Sequence, residues 1–334
     1  MKSVDIVRRA IEFQTPPRLP FYQSGIAGVP SDVWEIREMD RAKAGWFFDT
    51  PGWDDWGCRW AVTDIKNMGQ VVEHPLADES AIARYRPPDP RDPYYYERVT
   101  SLLEEAGDRY VTVTCHFNLI ERFHMLRGFA AAMEDFYLEP KRVDQLLDMI
   151  LENRLGHLEE LRRRFGNAVH GVFFTDDWGT QRGAFISHAI FDRFFAPRYK
   201  VLFGAVHQNG WHAILHSCGK VNTLVPRLIE AGADVLNLQQ PRAYGLVDFG
   251  EQFKGKVCFL TTVDIQATLP RDGEEEVREE AHLLVKHWST PRGGLIIFNY
   301  GDPTALGISH RITDIMFEEF VKISHRWPEY HAGG

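Results

Sequence analysis

A histidine and a cysteine stand two residues apart in "ILHSCGKV", residues 214–221. Zinc binds imidazole and thiolate together, and residues two apart on a strand project to the same face. Such residues are also common in buried cores, and a cysteine nucleophile with a histidine base is a third interpretation. The spacing makes His216 and Cys218 candidate metal ligands, with packing residues and a catalytic cysteine as alternatives.

Apolar, strand-like runs alternate with amphipathic helical segments along the chain. The strand-like runs are 18–23, 110–117, 170–178, 211–218, 234–240, 256–264 and 294–302. The helical segments are 140–165, 187–209, 224–231, 274–288 and 314–326. Seven or eight such units predict a parallel sheet closed into a (β/α)8 TIM-type barrel.

Two further segments add to this predicted barrel. The opening residues 1–14 form an amphipathic N-terminal extension that lacks the pattern of a secretory signal. In 58–76, two apolar runs flank "KNMGQ", which predicts an inserted β-hairpin. The proline-rich stretch 86–96 is interpreted as a loop within one domain, so residues 1–334 are expected to form a single domain.

Composition excludes several classes of protein. A hydrophobic content of 44% supports a large core, and a net charge of −9 argues against a nucleic-acid partner. No run approaches 18 apolar residues, so no membrane partner is expected. Four scattered cysteines without a CxxC pair indicate reduced thiols, and we expect a cytoplasmic protein.

Most predicted strands end in polar residues, and the carboxyl ends of barrel strands are where side chains meet a substrate. An enzyme is therefore favoured over a binding module or a scaffold. Asp176 and Asp177 are adjacent and must point to opposite faces. We predict that Asp177 points into the site, as a ligand or as a catalytic partner to one. Asp176 is then expected to cap the helix at 187 or to pair with Arg182.

Three more residues are site candidates, each with an ordinary alternative. Glu121 is a candidate metal ligand, or a carboxylate favoured by a helix N-terminus. Asp302 is a candidate metal ligand, or a turn residue before Pro303. Tyr300 is a candidate proton donor to a leaving oxygen, or an aromatic core residue.

Aromatic residues make up 13% of the chain, and several stand near predicted loops or strand ends. An aromatic substrate would stack on them, whereas the ordinary alternative is core packing. The segment "WDDWGCRW", 53–60, holds three tryptophans and is a candidate lid or pocket wall. The predicted substrate-binding residues are Tyr22, Trp56, Phe117, Trp178 and Gln240.

The segment "HSCGKVNTLVPRLIEAGADVLNLQQ", 216–240, closely resembles the core of the uroporphyrinogen decarboxylase superfamily. Residues 7–20, 121–148 and 175–203 resemble the same superfamily, so the likeness spans nearly the whole chain. The superfamily includes cobalamin-dependent, zinc-containing methyltransferases. The resemblance implies a (β/α)8 barrel, in agreement with the pattern of strands and helices.

Two activities compete within this resemblance. True decarboxylases carry an arginine-rich segment after the first strand, whereas "PFYQSGIAGVP", 20–30, contains no cation to hold substrate carboxylates. The methyltransferase branch uses His-x-Cys and a later cysteine. Here "IIFNYGDPTALG", 296–307, has no cysteine and Cys258 falls a strand too early. An oxygen ligand would have to substitute, and the candidates are Glu121, Asp176, Asp177 and Asp302.

The resemblance thus implies a zinc-dependent O-demethylase component. It would move a methyl group from a small methoxylated donor, in particular an aromatic one, or from an N-methylated donor to the Co(I) centre of cobalamin on a separate corrinoid protein. A decarboxylase-like lyase acting on another carboxylated substrate is the alternative, and a barrel serving as a scaffold is a third. Relatives commonly dimerise, so a homodimer is also open.

Overall fold

The computed structural model describes residues 1–22, 28–43, 45, 50–62 and 69–331. Within these ranges eleven strands form two sheets. In chain order they are β1 (Phe21–Tyr22), β2 (Val33–Ile36), β3 (Gly52–Trp53), β4 (Arg59–Ala61), β5 (Gln70–Glu73), β6 (Tyr110–Cys115), β7 (Gly171–Thr175), β8 (His212–His216), β9 (Val235–Asn237), β10 (Cys258–Thr261) and β11 (Leu295–Phe298).

The larger sheet is a nearly closed barrel of eight parallel strands, in the order β1-β11-β10-β9-β8-β7-β6-β2. The two ends of this order lie side by side, because the backbone N–H of Asp32 donates to the carbonyl of Phe21 at 2.8 Å. The predicted (β/α)8 barrel is therefore confirmed. Strand β2 is an addition to the prediction. It is short, and its Glu35 accepts a hydrogen bond from Thr114 at 2.6 Å, so it lacks a plain apolar run.

Helices surround the barrel. In chain order they are α1 (Ser3–Ile11), α2 (Val99–Ala106), α3 (Leu119–Arg127), α4 (Phe129–Leu138), α5 (Pro140–Phe165), α6 (His188–Ile190), α7 (Ala196–Gln208), α8 (Val225–Ala231), α9 (Pro241–Tyr244), α10 (Leu246–Phe253), α11 (Glu274–Trp288), α12 (His310–His325) and α13 (Trp327–Tyr330). Helices α5 and α11 have the predicted bounds. The predicted helix 187–209 is instead divided by a π-helical turn, Phe191–Phe195.

Along each strand, successive side chains point alternately into the barrel and towards its outer face. Its lower half is an apolar cluster that includes Tyr110, Phe173, Ile214 and Leu260. Helix α1, the predicted N-terminal extension, closes this end with Val7, Ala10 and Ile11. Asp177 and His216 lie at the opposite, carboxyl end of the strands.

The smaller sheet, β3-β4-β5, is antiparallel and contains the predicted hairpin as β4 and β5. Residues 63–68 of its connection lie outside the described residues. Several contacts hold this sheet against α3. Among them, the Arg122 guanidinium donates to Asp54 at 2.7 Å, and His74 Nδ1 lies 2.7 Å from the carbonyl of Met125. No helix among the described residues combines the length and apolar character that crossing a bilayer demands.

Candidate metal centre

Three potential ligand atoms converge at the carboxyl end of β7 and β8. The residues are Asp177, His216 and Cys218, and their ligand atoms all lie within 4.8 Å of one another. His216 Nε2 lies 3.3 Å from Cys218 Sγ and 3.5 Å from Asp177 Oδ1. His216 ends β8, and Cys218 follows two residues later. The predicted pair of ligands therefore meets the aspartate that was predicted to point inward.

These separations suit one tetrahedral zinc ion. Zinc bonds of about 2.0–2.3 Å place two ligand atoms roughly 3.3–3.8 Å apart. A carboxylate oxygen, an imidazole nitrogen and a thiolate sulfur are all common zinc ligands. The Asp177 side chain is 31% exposed and that of His216 14%, so the group borders open space at the barrel mouth. A three-residue site with one open position fits the residues present.

The loop after β8 is held by side chains on both sides. The backbone N–H of Cys218 donates to Asp177 Oδ1 at 2.7 Å, and that of Gly219 donates to Gln240 Oε1 at 3.2 Å. Gln240, a predicted substrate-binding residue, thus supports the Cys218–Gly219 turn. Gly219 has a φ of +76°, which favours glycine. This turn presents the Cys218 thiol to His216.

Burial and negative charge dominate the electrostatics of the site. Burial, reinforced by the carboxylate of Asp177, raises the pKa of the Cys218 thiol well above its usual value. Burial also raises the pKa of Glu121 well above the usual range, with the charges of Asp177 and Asp176 adding to the shift. A cation among these groups would relieve the repulsion and stabilise the thiolate.

Asp176 points away from the three-residue group and caps helix α3. Its carboxylate accepts hydrogen bonds from the backbone N–H groups of Leu119, Ile120 and Glu121 at 2.9, 3.2 and 2.9 Å. The sequence predicted that Asp176 would cap the helix at 187 or pair with Arg182. This prediction is wrong, because the carboxylate of Asp176 caps the N-terminus of α3 instead. Ser187 itself caps the helix that follows it.

Glu121 lies in the first turn of α3 and is buried. Its Oε2 accepts a hydrogen bond from Thr175 at 2.9 Å, and Thr175 is the last residue of β7, paired in register with His216. Glu121 therefore stands beside the candidate centre. It does not belong to the three-residue group that the described residues form.

The two candidates after β11 lie elsewhere. Asp302 is exposed and caps the 3-10 turn Pro303–Leu306, accepting from the backbone N–H of Thr304 at 3.0 Å. This is the turn-residue alternative, and among the described residues Asp302 is not part of the metal group. Tyr300 is half-buried and packs against the main core. Its role as a proton donor stays a prediction.

Two of the predicted substrate-binding aromatics lie in cores. Tyr22 belongs to the lower barrel cluster, with its ring edge-on to Phe298 at 5.4 Å between centroids. Trp178 is fully buried, and its Nε1 donates to Tyr199 Oη at 3.1 Å. Its ring packs edge-on against Phe195 at 4.6 Å. Both side chains are buried in these packed clusters, and their part in substrate binding stays a prediction.

Trp56 and Phe117 line a cleft of about 30 Å³ between the smaller sheet and the barrel. The guanidinium groups of Arg122 and Arg154 lie 4.9 and 5.3 Å from the Trp56 ring centroid. In the described part of the chain, the lining of this cleft includes none of the three metal-site residues. Trp56, from the predicted lid segment, is buried here rather than placed over the candidate centre.

Sequence reasoning missed Asn237, whose side chain contacts His216. Asn237 Oδ1 lies 2.6 Å from His216 Nδ1, on the side of the ring opposite Nε2. The signal was present in "DVLNLQQ", where an asparagine interrupts an apolar run at a barrel-facing position. Gln239, two residues on, donates from Nε2 to the same oxygen at 3.0 Å.

Comparisons with known proteins show what this chain is similar to. A methyltransferase from Methanosarcina mazei superposes with a TM-score of 0.70 at 13% identity, covering 97% of this chain and 99% of that chain. Native xylanase 10B from Thermotoga maritima gives a TM-score of 0.43 at 10% identity, covering 71% and 82%. A search of curated proteins gives no match. The family model for uroporphyrinogen decarboxylase (URO-D) matches residues 54–319, and the chain therefore belongs to this family.

Proposed function

We propose that the chain is a zinc-dependent methyltransferase. It takes a methyl group from a small methoxylated aromatic compound or a small N-methylated compound and passes it to the Co(I) centre of a corrinoid on a separate protein. The observation that carries this proposal is the convergence of Asp177, His216 and Cys218 at the barrel mouth. The fold likeness to the Methanosarcina mazei methyltransferase supports it.

The three residues would hold zinc through a carboxylate oxygen, Nε2 and a thiolate. Zinc held there would supply Lewis acidity, which favours departure of the methyl group from an ether oxygen or an amine. Asp177 has a second task, since its Oδ1 also accepts the backbone N–H of Cys218 and fixes the distance between the two loops. The residues present therefore supply both the ligands and their spacing.

The floor of the proposed site is apolar. Below the site, the lumen is filled by apolar side chains and closed by α1. A low-dielectric floor strengthens every electrostatic interaction above it. Tyr300 is retained as a proposed proton donor to the demethylated oxygen.

Charge argues against a polycarboxylate substrate. The carboxylate of Asp177 lies in the candidate site, and the stretch 20–30 brings no cation that could balance the carboxylates of a substrate. A decarboxylase-like lyase would have to bind carboxylates against this charge. We therefore place that activity second.

Metal analysis tests the proposed centre. Purified protein should carry about one zinc per chain, and His216→Ala and Cys218→Ser should each lose it, because two ligands rarely hold zinc tightly. His325→Ala, at an exposed position, and Cys258→Ala, in the lower barrel, are matched controls that should keep the metal. Zinc retained in both site variants would reject this centre.

The activity itself is tested with free cob(I)alamin as acceptor. Methoxylated arenes and methylamines are supplied in turn, and formation of methylcobalamin is followed by its absorption spectrum. Transfer should require the metal and should fail in Cys218→Ser. Release of carbon dioxide from a carboxylated substrate by metal-free protein would instead support the lyase.

A further inference from the structure

The backbone carbonyl oxygen of Leu260 can only accept hydrogen bonds. Asn237 Nδ2 donates to it at 2.8 Å, and the backbone N–H of Leu238 donates to it at 3.1 Å. A side-chain amide next to a carbonyl must present its NH2 group to it. The orientation of the Asn237 amide is therefore set by the strand beside it.

The opposite end of the Asn237 amide consequently faces His216. Asn237 Oδ1 lies 2.6 Å from His216 Nδ1, and Gln239 Nε2 approaches the same oxygen at 3.0 Å. An amide oxygen can only accept, so His216 Nδ1 carries a proton, and in the neutral imidazole the lone pair is then on Nε2. Reversing the amide would set Oδ1 against the Leu260 carbonyl and Nδ2 against the Gln239 amide.

Sheet register produces this relay. His216 pairs with Asn237 between β8 and β9, and Asn237 pairs with Leu260 between β9 and β10. Asn237 is fully buried and Gln239 nearly so, which shields the relay from bulk solvent. Gln239 Oε1 has no hydrogen-bond partner among the described residues, although it is buried. A buried polar atom without a partner costs free energy of folding. Here it is the other end of the Gln239 amide whose Nε2 donates to Asn237 Oδ1.

We propose that Asn237 is a positioning residue that holds His216 in the Nδ1–H tautomer, so that Nε2 is presented to a metal ion. This inference rests on the proposed role of His216 as a ligand. Groups that hydrogen-bond the far nitrogen of a metal-binding histidine fix its tautomer and orientation, and their loss weakens metal affinity. A buried asparagine would here do what a carboxylate or a backbone carbonyl does in other sites.

The tautomer can be measured directly in metal-free protein. Long-range 1H–15N correlation spectra at pH 8 should show a protonated Nδ1 and an unprotonated Nε2 for His216, assigned by loss of the signals in His216→Gln. A proton on Nε2 would overturn the proposal. Because no metal is present, this result is independent of whether the zinc site itself is correct.

Variants test the consequence for metal binding, with Co(II) as the probe in competition with a chelator. Asn237→Leu removes the acceptor and should weaken Co(II) affinity by about 10–100-fold, and the ligand-field spectrum should change. Asn237→Asp keeps an acceptor for Nδ1–H, and as a neutral carboxyl its O–H can donate to the Leu260 carbonyl in place of Nδ2, so its Co(II) affinity should stay closer to that of the wild type than the affinity of Asn237→Leu does. Asn153→Ala, which removes a buried amide bonded to the Pro88 carbonyl, is the matched control and should leave affinity unchanged.

The outcomes separate positioning from a general structural role. Wild-type affinity in folded Asn237→Leu would overturn the proposal, and so would equal losses in the Leu and Asp variants. If Asn237→Leu does not fold, the spectrum of the wild type still decides. Retention of Co(II) by His216→Ala would reject the metal centre while leaving the measured tautomer intact.

Discussion

Gly219 and Gly179 lie backbone against backbone, and a Cβ atom on Gly219 would stand 2.1 Å from the carbonyl oxygen of Gly179. The backbone N–H of Lys220 also donates to the carbonyl of Thr180 at 2.7 Å. The loops after β7 and β8 are thus in direct contact. This contact fixes the spacing between Asp177 on one loop and Cys218 on the other.

Gly219→Ala should therefore damage both stability and the metal site. The methyl group would clash with backbone and the residue would keep a left-handed φ, which together cost about 3 kcal/mol or more. Chemical denaturation and zinc content measure the two effects. Gly204→Ala is the control, because a Cβ atom there meets nothing within 4 Å inside helix α7. It should stabilise the protein by about 0.5–1 kcal/mol.

Metal binding should release a proton from Cys218. Burial raises the pKa of this thiol well above its usual value, so it is protonated at neutral pH, whereas the metal binds the thiolate. Titration calorimetry in buffers of different ionisation enthalpy should therefore give about one proton per zinc at pH 7.5. Zinc binding without any dependence on the buffer would contradict Cys218 as a ligand.

The ion pair between Arg122 and Asp54 should be important for stability. It is buried on both sides, at 2.7 Å, and joins α3 to the loop between β3 and β4. Asp54→Ala leaves a buried guanidinium without its partner and should cost about 3–5 kcal/mol. Glu274→Gln breaks an exposed pair with Arg311 and should cost less than about 1 kcal/mol. Urea denaturation of both variants makes the comparison, and equal losses would disagree with this account.

Stability should fall in mild acid because of His157. Burial, with the nearby charge of Arg154, lowers the pKa of His157 to about 3 in the folded protein. The unfolded chain binds this proton below about pH 6.5 and the folded chain does not, so stability is lost as pH falls. Between pH 7 and 5 the loss from this group should be about 2 kcal/mol.

The variant His157→Gln isolates this effect. It should reduce the difference in unfolding free energy between pH 7 and pH 5 by that amount, whatever its effect at pH 7. His325→Gln changes an exposed side chain and should leave the difference as in the wild type. An unaltered pH dependence in His157→Gln would refute the assignment.

Tyr199 should stabilise the wall behind the candidate centre. Its hydroxyl donates to Asp176 and accepts from Trp178 Nε1 at 3.1 Å. Tyr199→Phe leaves two buried polar groups less satisfied and should cost about 2–4 kcal/mol in thermal or chemical unfolding. Tyr137→Phe, at a residue 74% exposed, should change stability by less than about 0.5 kcal/mol. Similar effects in the two variants would show that the Tyr199 hydroxyl contributes little.

Local signals allowed the helices to be predicted best. Helix α5 begins at Pro140, whose ring suits a first turn, and ends before Gly166, which has a φ of +54°. Three glutamates open α11 at the favourable end of its dipole. Both helices have the predicted bounds because the signals lie within the segments themselves.

The candidate site was predictable only where it depends on one strand. The spacing of two residues predicted that His216 and Cys218 share a face, although Cys218 follows the end of β8 and the turn at Gly219 completes its placement. The partner of Asp176 is a helix that begins at Leu119, more than fifty residues earlier, and no local pattern indicates it. The link from Leu260 to His216 depends on the register of three strands, which sequence alone does not specify. Asp302 lies outside the three-residue group because its side chain caps the turn that follows it, through a hydrogen bond from the backbone N–H of Thr304.

Helix α1 seals one end of the barrel with Val7, Ala10 and Ile11. A molecule that reaches His216 and Cys218 along the barrel axis must then enter and leave at the carboxyl end of the strands. Under the proposed reaction, a small donor and a bulky protein-borne acceptor would both approach from that end. The donor would have to settle first, and the acceptor's docking would cover it.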